Sequence, residues 1–348
     1  MPVDTQLTQN MTSFVNKMGD SAQSMLYAVA NGKKLTDSQI ATIEHMYTVN
    51  KEMKSVINEL CANCTEKDML AAMNGKADAL VYGSFDTIQN NTVETPKEIH
   101  DGPFAENIDK VTAKNLEGLT EITPSRAEEL AQKYFKDYKV SETKCVGETV
   151  AEQLTVYNVN LTTPDGEMSA QISKKGGKVI EFNSYKDCSA KNFSVERCID
   201  IAEDFLDELG YDDMKAVWTS ENGSTCNLNF AYEDDGVIFY SDIIKVKVCE
   251  ERGIVTGMEG LSYVLNHVKR DAPAPSISKK EAKAKLNGNF EVETSRLCVI
   301  PVDGEEALCY EFFGAYGDDN YYIYVDAKTG EEREVFTVID TAQGKALL

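Results

Sequence analysis

The chain repeats itself, and this repeat constrains its fold more than any other feature. Three segments begin alike, with a large apolar residue, then Ser or Thr, then a small residue four positions after that hydroxyl. They are Ile122 to Ala127, Phe193 to Cys198 and Ile277 to Ala282. A hydroxyl side chain at this position caps the first turn of a helix, and the apolar residue before it packs on that turn. The pattern predicts three helices, each opening a copy of one module.

Three runs typical of strands follow each predicted helix. They begin at Leu154, Met168 and Lys178 in the first copy and at Leu228, Val237 and Ile254 in the second; in the third they begin at Leu308 and Tyr321, and the last ends at Phe336. They are rich in Val, Ile, Tyr and Phe and are separated by turn residues. A glycine precedes the last run of each copy, at Gly177, Gly253 and Gly330, where a hairpin turn needs a positive φ. We therefore predict an α+β fold with three modules, each a helix packed on a small antiparallel sheet. Their ranges are 121–188, 189–269 and 276–341.

The first 120 residues have a different pattern. Apolar residues recur at steps of three and four from Leu7 to Val29 and again from Ile43 to Cys64. This spacing predicts an N-terminal antiparallel helical bundle or hairpin over residues 4–91. Residues 92–120 show no period and are interpreted as a connector. Within it, Asp101-Gly102-Pro103-Phe104 is typical of a tight turn with one anchoring aromatic ring.

The charge balance argues against nucleic acid as a partner. Asp and Glu number 58 against 35 Lys and Arg, for a formal net charge of −23, and such a surface repels phosphate backbones. The first thirty residues are polar and amphipathic, and no apolar run is long enough to span a bilayer. We expect a soluble chain whose membrane contact would require an N-terminal anchor that this sequence lacks.

The sequence offers little from which to build an active site. It has three histidines, none in a triad or ligand spacing, and no nucleophile or phosphate-loop motif. We predict no catalytic residues, no cofactor and no metal. The pairs Asp234-Asp235 and Asp318-Asp319 lie in predicted turns, where Asp is expected for backbone reasons and a weak calcium site is the alternative. A carboxylate pair for glycoside cleavage stays open, because its separation is spatial.

The nine cysteines are scattered, which is typical of buried thiols. Cys61 and Cys64 form a C-x-x-C inside a helical pattern without a second pair, which does not favour zinc or redox chemistry. Cys298 and Cys309 flank a predicted hairpin and would lie opposite each other in its ladder. Two packed thiols and a disulfide are both open there.

Several short stretches resemble known families. Tyr324 to Gly330, at the last predicted hairpin, resembles the PepSY module, a small α+β domain of propeptides and envelope proteins. A longer set resembles the YpeB family of spore germination proteins. It comprises Asp101 to Phe104, Asp235 to Val237, Tyr240 to Asp242, Lys245 to Val248, Tyr263 to His267, Lys269-Arg270 and Pro273. Val268 departs from the pattern, since a second histidine is expected there.

This resemblance implies a function. Members of the family are anchored at the outer face of the inner membrane in the spore envelope, where they accompany a cortex-lytic enzyme of the SleB type. The resemblance therefore implies a non-catalytic protein that binds, stabilises or restrains that enzyme. A PepSY-type protease inhibitor of the bacterial envelope is the alternative, and an enzyme acting on peptidoglycan is a third hypothesis.

The family-specific residues are candidates for a partner-facing surface. They are Asp101, Gly102, Pro103, Phe104, Tyr263, His267 and Arg270. A purely structural role is the alternative for each, because turn and core positions produce the same residue types.

Overall fold

A computed structural model of the protein describes Tyr47, Lys51 and residues 101–105, 113–151, 154–184, 187–302, 304–341 and 344–348. The chain divides into two compact units, Met1–Glu98 and Ile99–Leu348. In the first unit Tyr47 and Lys51 are helical. The rest of the predicted bundle, with Cys61 and Cys64, lies outside the described residues, as does much of the predicted connector.

The three predicted helix starts, all in the second unit, are confirmed. The side chains of Thr123, Ser194 and Ser278 each accept a hydrogen bond from the backbone N–H three residues later. At Ser278 the box is reciprocal, because the Glu281 side chain accepts from the Ser278 N–H. The helices are α1 (Pro124–Tyr134), α2 (Val195–Glu208), α3 (Leu261–Asn266) and α4 (Lys279–Lys283), with 3-10 turns at Lys114–Leu116 and Lys136–Tyr138.

Four antiparallel strands follow each capped helix. In the first module they are β1 (Glu142–Ala151), β2 (Leu154–Thr163), β3 (Gly166–Ser173) and β4 (Val179–Ser184). In the second they are β5 (Met214–Asn222), β6 (Thr225–Asp234), β7 (Val237–Cys249) and β8 (Ile254–Glu259). In the third they are β9 (Glu291–Val302), β10 (Glu305–Tyr316), β11 (Asp319–Asp326) and β12 (Glu332–Thr341), followed by β13 (Gly344–Leu347).

The sheets of the modules are joined to one another, which the prediction of a small antiparallel sheet in each module did not include. β4 pairs antiparallel with β8 through Glu181–Asn183, and β7 pairs parallel with β9 through Val237–Phe239. The described strands thus form one network of thirteen. An isolated sheet would leave a row of backbone N–H and C=O groups unpaired at each edge, and joining the edges satisfies them.

The strand β7 is where the network branches. Its first half lies between β6 and β9, and its second half lies between β6 and β8. Between the two halves the register with β6 jumps, since Phe239 faces Tyr232 whereas Ile243 faces Ala231. Residues 240–242 are thus left out of the ladder. We call them the β7 bulge. Such a bulge re-aims its side chains away from the regular alternation.

Two apolar clusters form the core. The larger one follows the helices across all three modules. The smaller one lies between the sheets of the second and third modules, and its buried members are Phe104, Val217, Ala231, Ile238, Tyr240, Ile243, Cys298, Ile300, Cys309 and Tyr324. β13 lies against β5 at the far side of this cluster, so close that a Cβ on Gly344 would be 2.5 Å from the Glu221 carbonyl oxygen.

Cys298 and Cys309 follow the predicted register, and the structure decides between the two alternatives left open for them. Cys298 lies directly opposite Cys309 between β9 and β10, as the hairpin pattern indicated. Both are free thiols, and the Cys298 Sγ donates to the Cys309 carbonyl oxygen at 3.5 Å. Among the described residues a disulfide joins Cys188 to Cys249, with their Cα atoms 5.8 Å apart. No local pattern could indicate this pair, because 61 residues separate its members.

Candidate functional site

The turn at residues 101–104 lies on the sheet of the second module. The Asp101 carboxylate is 2.7 Å from the Nζ of Lys245, a residue of β7 that comes 144 positions later. The Asp101 carbonyl oxygen accepts a hydrogen bond from the Asn229 side chain. Gly102 has φ +82°, and a Cβ there would lie 2.4 Å from the Trp218 ring, so the position requires glycine on two grounds. Pro103 is buried.

Phe104 fills the space between the second and third modules. Its ring centroid is 5.2 Å from that of Tyr240 on β7, 5.0 Å from Tyr324 on β11 and 5.4 Å from Phe336 on β12. The rings meet edge-on or tilted, the arrangement that aromatic quadrupoles favour. Phe104 has φ +59°, which is rare outside glycine, so tertiary packing holds the backbone there.

The carboxylate of Asp242, in the β7 bulge, is fully buried. It contacts two cationic or potentially cationic side chains. Arg270 donates to both of its oxygens, at 2.9 and 3.1 Å. The Nδ1 of His267 is 2.8 Å from Oδ2. Arg270 continues to Glu306 on β10 at 2.6 Å. Burial opposes the charge on Arg270, but its bonds to the two carboxylates outweigh this and raise the pKa of the guanidinium. The cluster therefore ties the second module to the third.

The segment that carries His267 and Arg270 is held by aromatic rings. The Tyr263 ring stacks on His267 with centroids 4.3 Å apart, and Tyr211 meets Tyr263 edge-on at 5.1 Å. Burial raises the pKa of the Tyr263 hydroxyl. The Arg270 guanidinium lies 4.5 Å from the Phe239 ring centroid, within reach of a cation–π attraction.

A second buried polar network lies on the other side of the bulge. The Tyr240 hydroxyl donates to the Glu311 carboxylate on β10. Arg296 of β9 lies between them, with its Nε 2.7 Å from Glu311 Oε1 and its Nη2 2.7 Å from the Tyr240 hydroxyl. Burial, with Glu311 beside it, raises the pKa of Tyr240 well above its ordinary value. These groups join strands β7, β9 and β10.

The seven residues predicted from the family pattern converge on β7 and its immediate surroundings. Gly102, Pro103, Phe104 and Tyr263 are buried there, which favours the structural alternative for these four. Asp101, His267 and Arg270 are partly exposed, and each is engaged by a residue of β7. We call this region the β7 junction.

Sequence reasoning did not assign a site role to the polar residues that complete the junction. They are Tyr240, Asp242, Arg296, Glu306 and Glu311. One signal was present, because a charged residue such as Asp242 inside the apolar run 237–249 has to be paired when that strand is buried. The identity of its partners could not be read from the run itself.

The described residues contain neither a candidate membrane-spanning helix nor a candidate metal centre. None of their helices combines the length and apolar character needed to cross a bilayer. No three His, Cys, Asp or Glu side chains among them are grouped so as to hold a metal ion.

Comparison with known proteins decides the family. The family described as "YpeB sporulation, PepSY1 and PepSY2 domains" matches residues 81–273, more than half of the 348-residue chain. The chain belongs to the YpeB family. The YpeB N-terminal domain matches residues 1–71, and the domain described as "Peptidase propeptide and YPEB domain" matches residues 276–336. The resemblance inferred from the sequence is thereby confirmed.

Curated YpeB relatives cover most of the chain. The Sporulation protein YpeB of Halalkalibacterium halodurans is 29% identical over 336 residues, which are 92% of this chain and 74% of that protein. The protein of the same name from Bacillus subtilis is 23% identical over 96% of this chain and 77% of its own length.

A solved YpeB structure shares the fold of much of this chain. The Bacillus megaterium YpeB C-terminal domain is 30% identical, with a TM-score of 0.58 over 63% of this chain and 98% of that chain. The mixed α+β class, dominated by a large sheet, is confirmed.

Proposed function

We propose that this YpeB-family protein is a non-catalytic sporulation and germination protein that binds, stabilises or restrains a cortex-lytic enzyme of the SleB type. We further propose that it acts at the outer face of the inner membrane, in the spore envelope. Support for the sporulation role comes from the family and from relatives named Sporulation protein YpeB. Nucleic acid is not a partner in this proposal, in keeping with the net charge of −23.

The observation that carries the proposal is that the buried carboxylates of the β7 junction are already paired with other side chains. The Asp242 carboxylate is occupied by Arg270 and His267, and the Glu311 carboxylate by Arg296 and Tyr240. A general acid or base has to reach the substrate proton that it moves. These carboxylates lie instead between modules, where they fix the positions of the sheets. Such a site suits a rigid binding scaffold.

Light scattering during size-exclusion chromatography tests the proposal. The protein is mixed with the SleB-type enzyme of the same organism, and we expect a complex that elutes earlier than either protein. An unrelated protein of similar net charge serves as control, because acidic surfaces attract basic proteins without specificity. Separate elution of the two proteins at high micromolar concentration contradicts direct binding.

Protection of the enzyme is a second measure. If the protein stabilises its partner, limited proteolysis should degrade the enzyme more slowly in the mixture than alone. If it restrains the partner, release of muropeptides from purified cortex by the enzyme should slow down. The protein by itself is expected to release none, and release by the protein alone would favour the hypothesis of a peptidoglycan-acting enzyme.

Protease inhibition is the second candidate function. It is favoured by the match of residues 276–336 to a domain described as "Peptidase propeptide and YPEB domain". A panel of secreted serine and metalloproteases tests it. Our leading proposal expects undiminished protease activity at a large molar excess of the protein, whereas saturable inhibition would favour this second candidate.

A further inference from the structure

A cleft of about 600 Å³ separates the first module from the second, away from the β7 junction. One wall consists of the 3-10 turn Lys136–Tyr138 and the turn between β2 and β3. The other wall consists of α2 and the turn between β7 and β8. The volume is within the range of ligand-binding pockets.

The inner surface of the cleft is apolar. Ile201 and Phe205 project from α2 and are half-buried, Met168 is buried on β3, and Ile254 begins β8. The Tyr138 ring also lines the cleft, and its hydroxyl is engaged by the Val255 carbonyl oxygen at 2.6 Å. This surface suits an aliphatic side chain of an occupant.

The rim of the cleft is acidic. Its carboxylates belong to Asp137, Asp165, Asp204 and Glu208, and its cations are Lys139, Arg252 and Lys136, whose Nζ is 3.6 Å from Glu208. Four negative charges therefore face three positive ones, in a chain whose net charge is already −23. Charge complementarity favours a cationic occupant.

Arg252 adds a directional requirement. Its Nη1 is 3.3 Å from Asp165, but its Nε and Nη2 are buried, and none of the described residues accepts a hydrogen bond from them. A buried donor without an acceptor costs about 1–3 kcal/mol. If the guanidinium turns these nitrogens toward the cleft, an occupant that supplies an oxygen there removes that cost.

We propose that the cleft binds a short extended peptide segment of a protein partner, in which basic side chains flank an apolar one. The apolar side chain packs on Ile201 and Phe205. The basic side chains reach Asp204 and Glu208, and a backbone carbonyl oxygen accepts from Arg252. A peptide supplies all three groups at once. The inference rests on the proposed function in one respect, since it takes the partner to be a protein.

Fluorescence polarisation tests the charge requirement. The probe is a fluorescein-labelled heptapeptide of alternating Lys and Leu, compared with its Glu and Leu counterpart, which should not bind. We expect the double variant Asp204→Lys/Glu208→Lys to bind the Lys peptide about tenfold more weakly than the unaltered protein. The matched control is Asp200→Lys/Asp207→Lys, which makes the same change of charge on the same helix outside the cleft. Equal weakening in both double variants overturns the proposal.

The variant Arg252→Gln distinguishes binding in the cleft from long-range electrostatic attraction between the Lys peptide and the acidic protein. This change makes the protein more negative, so long-range attraction alone predicts tighter binding of the Lys peptide. Binding through the cleft predicts weaker binding instead, because the peptide carbonyl oxygen loses the Arg252 guanidinium as its donor. Unchanged or tighter binding by this variant, with thermal unfolding showing that it is folded, overturns the proposal.

The cortex-lytic enzyme distinguishes this inference from the proposed function. If the unaltered protein and Asp204→Lys/Glu208→Lys bind the enzyme equally well, the cleft inference falls and the proposed function stands. If the unaltered protein binds the Lys peptide as predicted but not the enzyme, the cleft stands and the proposed enzyme partner falls.

Discussion

Phe104 contributes to the core of two modules although it comes before all three in sequence. Only 7% of it is exposed, and its ring contacts rings from β7, β11 and β12. Removing such a ring loses its burial free energy and leaves a cavity that its neighbours fill only in part.

We therefore expect Phe104→Ala to lower the free energy of unfolding by about 3–5 kcal/mol. Urea unfolding followed by far-ultraviolet circular dichroism measures it. Phe104→Leu is the control and should retain most of the stability, because it keeps the apolar contact. A loss below about 1 kcal/mol for the alanine variant would contradict the anchoring role.

Arg270 sits between one buried and one exposed carboxylate, and the two should respond differently. Asp242 is fully buried, whereas the Glu306 side chain is 39% exposed. Arg270→Met removes the partner that contacts both oxygens of the buried Asp242 carboxylate, leaves it only the His267 contact, and should cost about 3–5 kcal/mol. Glu306→Gln should cost less than about 1 kcal/mol, since exposed ion pairs are weak. Equal losses in chemical unfolding would argue against the buried cluster as the stabilising contact.

At the scale of elements, the disulfide ties the segment before α2 to the end of β7. Its members are 61 residues apart, and closing a loop of that length lowers the entropy of the unfolded chain by an amount equivalent to about 4 kcal/mol. A reducing agent should therefore lower the unfolding midpoint of the protein. The double variant Cys188→Ser/Cys249→Ser should start at the lower midpoint and show no further response. A persisting response would mean that another pair is oxidised.

The turn between β11 and β12 is built on Asp326. Burial alone would raise the pKa of this carboxyl, but N–H bonds from Thr329 and Lys328 and the Arg333 guanidinium at 2.7 Å hold it below its ordinary value. A depressed folded pKa stabilises the protein fully above the unfolded value of about 4. That stability is lost as the pH falls through the folded pKa.

Asp326→Asn removes this contribution. The difference in unfolding free energy between the unaltered protein and the variant should be largest above about pH 5 and should shrink as the pH is lowered toward 2. Urea unfolding at a series of pH values measures it. A difference that stays constant with pH would exclude ionisation of Asp326 as its source.

Sequence reasoning recovered the elements whose signals are local. The caps at Thr123, Ser194 and Ser278 were predicted, because a cap and its partner are three residues apart. The first strands of the modules, β1, β5 and β9, were not predicted, apart from the end of β9. β1 and β5 each pair on one side, and each has four apolar residues that do not alternate regularly with polar ones. Such strands show little of the alternation that identifies a buried strand.

The candidate site was predicted as a set of residues but not as a place. The family pattern named Phe104, His267 and Arg270, yet nothing in the sequence put them all beside the β7 bulge. Their contacts span long separations, such as 144 residues between Asp101 and Lys245. The cleft beside α2 was not predicted for the same reason, because its two walls belong to different modules.

At the scale of the whole second unit, the two joins between modules differ in strength. β4 meets β8 through three residue pairs, and this join also includes ring contacts to Phe205 and hydrogen bonds from the Tyr138 and Tyr211 hydroxyls. The second and third modules are joined by three residue pairs between β7 and β9, an apolar cluster and two buried networks of charged groups. Separating them would expose or unpair buried charges, so the first module should open locally at a lower free energy than the other two.

Hydrogen exchange measured by mass spectrometry tests this difference. Amides of β2 and β3 should exchange faster than those of β6 and β10, although all four strands are paired on both sides. Phe104→Ala should speed exchange in β6 and β10 while leaving β2 and β3 unchanged. Uniform protection across the three modules would show that the unit opens as a single body.

The position of Phe104 also determines how mechanical load would pass along this chain. Residues 101–104 are fastened to the second and third modules, and only afterwards does the chain enter the first. A pull on the chain before residue 101 is thus borne by the Phe104 anchor, and the first module lies outside the direct path of that force. Tension from the N-terminal side is therefore transmitted to the second and third modules first, and it loads α1 or β1 only after the Phe104 ring has been pulled out of the core.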